Sequence, residues 1–137
     1  GWAQLRAFGQ TVAEVTIEAP VLARALAGLL VDHADLVGLH EVYEENVGAI
    51  LADIVAHGLL EENAPRGGLV RMVRLGLVSA VLFWAKGEIA DAELAPYAVQ
   101  RCAESLLPFA TAQGAAVFRS EIAAAAARIA GVGSIPR

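Results

Sequence analysis

The residues with the most chemistry in this 137-residue chain crowd one short stretch, where Asp32, His33, Asp35, His40 and Glu44 follow one another. His40 and Glu44 stand one helical turn apart, so they could share a cation, with His33 reaching in from a preceding helix. A plainer reading competes. Asp35 stands where a helix cap is needed, His33 falls beside the last carbonyls of the helix before it, and His40, Glu41, Glu44 and Glu45 make a solvated face. The plainer reading accounts for the whole stretch, so no metal or other cofactor is expected. A stand-alone metal protein or enzyme built on His33, His40 and Glu44 is the alternative.

Acid–base catalysis needs a titratable group held in a cleft beside a partner. Here such groups occur singly. His57 precedes Gly58 at a helix end, and Glu61 and Glu62 lie in a polar loop. No GxSxG, GxxxxGK[ST] or HExxH motif is present, and Gly67 and Gly68 lack the strand and lysine that phosphate binding requires. Cys102 is the only cysteine, which rules out internal disulfides and cysteine-rich metal sites and fits a reducing compartment. The chain therefore reads as no enzyme. A small-molecule pocket has more support, because such sites are mainly apolar with a few polar groups and lie between helices of bundles. Phe8, Val12, His33, Tyr43, Met72, Phe83 and Trp84 supply that mixture; an ordinary core is the competing use of the same side chains.

The charge balance narrows the partners. At net charge −5, with Arg66, Arg71 and Arg74 as the densest cationic cluster and Lys86 the only lysine, the chain lacks the basic surface that neutralises phosphates. It should not bind DNA by itself. Hydrophobic residues make up 57%, yet Arg71 and Arg74 interrupt the longest apolar stretch before it reaches the ~18 uncharged residues of a membrane span. Without an export signal, a cytoplasmic protein is the expectation. The chain opens on Gly1 and runs at once into helical periodicity, so it reads as part of a longer protein.

The elements that must position these residues are all helical, for no stretch alternates as a strand does. Leu5, Phe8, Val12 and Val15 line one face of a first helix. Pro20 suits the first turn of a second, whose stripe is Leu22, Leu26, Leu29 and His33. Asp35 opens a third with core positions Leu36, Leu39, Tyr43, Val47, Ile50, Leu51 and Ile54, stopped by Gly58. Pro65 begins a fourth, ending at Gly87. Asp91 caps a fifth that runs to about 107, with Pro96 in its first turns and small residues on its inner stripe. Pro108 breaks the chain, and a last helix carries Phe118, Ile122, Ala125 and Ile129. The pattern predicts an all-α chain, an irregular bundle of about six helices in one domain over 1–137.

The fourth helix, over 69–87, is apolar on every side in its second half. At ~100° per residue Val73, Leu77, Ala80 and Trp84 share one face and Leu75, Val78, Leu82 and Ala85 fall roughly opposite. One core cannot bury both. The short turn at Gly87 lets this helix pack antiparallel on the next, and two such pairs about a twofold axis make a four-helix bundle. Leu75, Val78 and Leu82 would then face a second copy, with Ala95, Val99, Cys102 and Leu106 completing the interface. Met72, Val73 and Trp84 would look into the domain. The competing arrangement folds the alanine-rich last helix back over the same face.

The order EAP, VLARALAGLL, AHGLLEENAP, LVSAVLFWAKGEI and AELAPYAVQRCAESLL resembles the C-terminal domain of the tetracycline-repressor (TetR) family of transcription regulators, over about 2–107. The Gly-containing turn before the apolar helix and the W-x-x-G ending, here Trp84 and Gly87, carry the resemblance. It implies a helical, homodimeric domain that binds a small effector and dimerises through its last two helices. It also implies an N-terminal helix-turn-helix, absent from these residues, through which alone the protein would meet DNA. The family shares no effector-contacting motif, so none is carried over, and the segment after Pro108 departs from its shorter endings.

Overall fold

The structure, a computed structural model, describes residues 1–32 and 39–133, the side chains of 26, 28–32, 39, 40, 42, 43 and 133 excepted. In order come α1 (Trp2–Glu18), α2 (Pro20–Asp32), α3 (Leu39–Ala56), α4 (Arg66–Ala85), α5 (Asp91–Leu106), a 3-10 turn at Leu107–Phe109 and α6 (Ala112–Gly133). The fold is the expected all-α irregular bundle. Gly58 and Gly87 stop α3 and α4 with φ of 76° and 78°, the left-handed conformation in which a side chain is strained.

The centre of the bundle is α5, which packs on α1, α4 and α6. Leu94, Ala98, Val99, Cys102, Ala103 and Leu106 are all buried by the chain itself. Small side chains on α5 let α1 approach closely. A Cβ added at Gly9 of α1 would lie 3.8 Å from Cys102 Sγ, in ordinary contact. That approach rotates α1 away from the expected stripe. Trp2, Leu5, Gly9, Ala13 and Thr16 are buried, Phe8 and Val12 are half-buried, and Val15 is exposed.

Beside α1, and also against α5, lies α6. Phe118 is fully buried and meets Trp2 edge-on, ring centres 5.4 Å apart, while Arg6 Nη1 bonds Glu121 Oε1 at 2.8 Å. Burial of a side chain such as Phe118 contributes about 1.5–3 kcal/mol. The alanine-rich helix therefore covers α5, and not α4 as in the competing arrangement.

A backbone seam anchors α6. Leu60 and Ala110 form an antiparallel bridge; Glu61 N–H donates to Phe109 O at 3.0 Å and Thr111 N–H to Leu59 O at 3.1 Å. Thr111 Oγ1 donates to Gly58 O at 2.6 Å and caps α6 by accepting from the Gly114 N–H at 3.1 Å. Gly114 is held against the Leu59 carbonyl so closely that a Cβ there would overlap it.

The apolar helix α4 packs on α2, α3 and α5. Its expected inner face is buried: Val73, Leu77 and Ala80 are fully enclosed and Trp84 nearly so. By length and mean hydropathy α4 is also long and apolar enough to cross a membrane. Arg71 and Arg74 break the uninterrupted run without lowering the average enough to exclude it.

Candidate functional site

One face of the α4–α5 pair stays open, and the residues along it make a groove of about 620 Å³. From α4 come Met72, Leu75, Gly76, Ser79 and Phe83; from α5 come Tyr97, Arg101, Glu104 and Ser105. Met72 is 51% exposed and Leu75 62% exposed, the two large apolar side chains that α4 leaves most open to water. Gly76 allows the two helices to pass at their closest here, since a Cβ on it would lie 2.8 Å from Arg101 Cβ. Ser79 and Ser105 satisfy their hydroxyls on their own helices, bonding the carbonyls of Gly76 at 2.8 Å and Arg101 at 2.7 Å. The groove therefore presents carbon rather than competing hydroxyl donors along its middle.

Its charged rim is ordered by packing. Phe83 and Tyr97 meet edge-on with ring centres 6.1 Å apart, and the Arg101 guanidinium lies 5.0 Å from the Tyr97 ring centre. Arg101 Nη2 pairs with Glu104 Oε2 at 2.6 Å, while Gln100 Nε2 donates to Glu104 Oε1 at 2.9 Å. Arg101 Nε is buried with no hydrogen-bond partner in the structure. A cation and an anion thus stand one helical turn apart beside an open apolar strip.

The expected ligand set is not gathered in one place. Met72 and Phe83 belong to this outer groove, so Met72 does not look into the domain as its neighbours Val73 and Trp84 do. The helical turn puts residue 72 on the side of 75, 76, 79 and 83. Trp84 lies inward. Its Nε1–H donates to Asp91 Oδ1 at 2.7 Å, and Arg24 of α2 stacks 4.8 Å above its ring. Asp91 is the first residue of α5 behind an Ala90 cap, and its carboxylate serves Trp84. Phe8 packs against the core from α1 and Val12 is half-buried nearby in sequence. His33 lies outside the described residues, as do the side chains of Tyr43 and His40, so the His33, His40 and Glu44 cluster has no described geometry. Among the described residues no group of three or more potential metal ligands is present.

The expected interface set divides as well. Leu75 is exposed, and Val78, Leu82 and Ala95 are half-buried at the surface. Val99, Cys102 and Leu106 are enclosed by their own chain, in which α1, α4 and α6 all pack on α5. Burial without a neighbouring charge pushes the Cys102 thiol up to about 12, which suppresses the thiolate. His57 uses its ring at the end of α3, with Nδ1 2.8 Å from the Asp53 carbonyl, as its place before Gly58 suggested. A second cleft of about 560 Å³ at the α3–α4 loop is lined by Gly58, Leu60, Glu61, Glu62, Asn63 and Thr111 among others.

Tyr97, Arg101, Glu104 and Ser105 lie outside the residues that the sequence pattern singles out. Their spacing of four, three and one is itself a helical stripe, but a mainly polar one, and a search for apolar periodicity passes over it. Set against family models, curated proteins and solved structures, the chain finds no match in any of the three.

Proposed function

We propose that this chain is the regulatory domain of a TetR-like transcription regulator of the cytoplasm, which pairs with a second copy of itself and binds a small apolar or aromatic effector. The observation that carries the reading is the open α4–α5 face. Along it Met72 and Leu75 stand in water beside Phe83 and Tyr97, where isolated exposed apolar residues are ordinary but a contiguous strip marks a contact surface. The order of the helices and the Trp84–Gly87 ending support the family likeness. The effector side is the opposite face of α4, around Trp84, where α2 and α5 meet it.

In this reading the domain touches no DNA; an N-terminal reader of the parent protein does so. An effector acts by favouring one of two arrangements of the paired domains and hence one spacing of the two readers. The domain is not catalytic and needs no cofactor. Sedimentation equilibrium of the chain should give twice the 14.2 kDa monomer mass at micromolar concentration. A thermal-shift screen of apolar and aromatic compounds should find stabilising ligands, because binding to the native state raises the melting temperature. A monomer at all concentrations overturns the pairing, and a broad screen without a hit overturns the effector role.

A further inference from the structure

We propose that Arg101 and Glu104 form a reciprocal ion-pair ring across the twofold axis of a dimer, Arg101 of each copy meeting Glu104 of the partner subunit. The inference rests on the pairing stated above and specifies its register. In a twofold interface a patch meets itself, so a residue on the axis faces its own copy and two residues flanking the axis face each other. Arg101 and Glu104 carry opposite charge one turn apart on α5, on the rim of the open groove. An axis running between them sets cation against anion twice. Any register that placed either residue on the axis would oppose like charges.

Both groups have bonding capacity left over. A guanidinium carries five N–H donors, and the pair with Glu104 runs through Nη2, which leaves Nη1 for a further acceptor. Each oxygen of Glu104 accepts one bond, Oε1 from Gln100 and Oε2 from Arg101, leaving a lone pair on each. The side chains are about one-third exposed, at 34% and 35%, so they can be reached without unfolding. They are also held in advance. Tyr97 stacks under the guanidinium, Gly76 receives the Arg101 stem, and Gln100 fixes the carboxylate. Little side-chain freedom remains to be lost on contact. The apolar strip of Met72, Leu75 and Phe83 excludes water from the same patch, and a drier surrounding strengthens correctly opposed charges while penalising like ones.

The test is charge exchange in the full 137-residue chain. Arg101→Glu places two carboxylates on each copy and Glu104→Arg places two guanidinium groups, so each variant alone should raise the dimer dissociation constant more than about tenfold. The double variant Arg101→Glu with Glu104→Arg restores opposite charges across the axis and should recover the dimer. So should an equimolar mixture of the two single variants, at a concentration where each alone is monomeric. Circular dichroism separates a misfolded variant from a monomeric one, and recovery in the mixture requires both to be folded. A wild-type dimer whose single variants associate equally well, or whose double variant and mixture fail to recover, overturns the ring and leaves the pairing standing. A wild-type monomer overturns both.

Discussion

The indole N–H of Trp84, next to last in α4, donates to the carboxylate of Asp91, the first residue of α5, at 2.7 Å. On the ring's face lies the Arg24 guanidinium of α2. One side chain therefore joins three helices at the turn through Gly87. Trp84→Phe keeps most of the ring and removes the donor, so it should lower unfolding free energy by about 1.5–3 kcal/mol, the range for a hydrogen bond to a charged group. Arg24→Ala should lower it by only about 0.5–1 kcal/mol, as expected of an exposed cation over a ring. Urea denaturation of the two single variants and the double variant measures whether they are coupled.

Gly114 and Gly48 should respond oppositely to alanine. At Gly114 a Cβ overlaps the Leu59 carbonyl, and main chain cannot yield as a flexible side chain can. Gly114→Ala should cost more than about 2 kcal/mol, typical of overpacking against fixed atoms. At Gly48, inside α3, nothing lies within 4 Å of a new Cβ, and Gly48→Ala should stabilise by about 0.5–1 kcal/mol. Thermal or urea melts give both signs.

Leu75→Glu tests the open face directly. Leu75 is 62% exposed, so the change should leave the folded monomer within about 0.5 kcal/mol of its stability. In the proposed dimer it buries a carboxylate in an apolar strip and should yield monomers by sedimentation. Val78→Asp and Leu82→Asp should act in the same direction with a larger loss of monomer stability, since both side chains are already half-buried.

Cys102 should make stability fall in alkali. Its thiol ordinarily loses a proton at pH 9.0, and burial pushes that up to about 12. The folded state then holds the extra proton between those limits, so unfolding free energy is unaffected below the lower one and declines above it. The slope is about 1.4 kcal/mol per pH unit for one group. Cys102→Ala removes that contribution, so the stability gap between wild type and variant should be constant below about pH 9 and shrink as the pH rises from there toward 12, as read by urea denaturation. Iodoacetamide should label the native protein only on the timescale of unfolding.

Much of this fold is legible in the residues. The inner face of α4 follows from the spacing of Val73, Leu77, Ala80 and Trp84, and Gly58 and Gly87 stop their helices where their position suggested. What resists reading is which neighbour covers which face. The small side chains of α5 announce a close approach without naming the helix that makes it. That helix is α1, and its Gly9, which receives α5, is too small to register in an apolar stripe. Val99, Cys102 and Leu106 fit a covering helix of the same chain as well as one from a second copy. The groove was half visible, because Leu75 stands out as a large apolar residue while Arg101 and Glu104 look like any solvated pair until Tyr97, Gln100 and Gly76 are placed around them.

The seam between Leu60 and Ala110 closes a loop. Its bonds run between main-chain groups, so they are nearly indifferent to which side chains the two segments of the clasp carry. The intervening stretch, α4 and α5 with their turn, thus has its two ends about one strand spacing, ~4.8 Å, apart. Its inner side is committed, because α1, α4 and α6 all pack on α5. Substitution is therefore resisted there and tolerated on the outer surface, where Met72 and Leu75 stand in water.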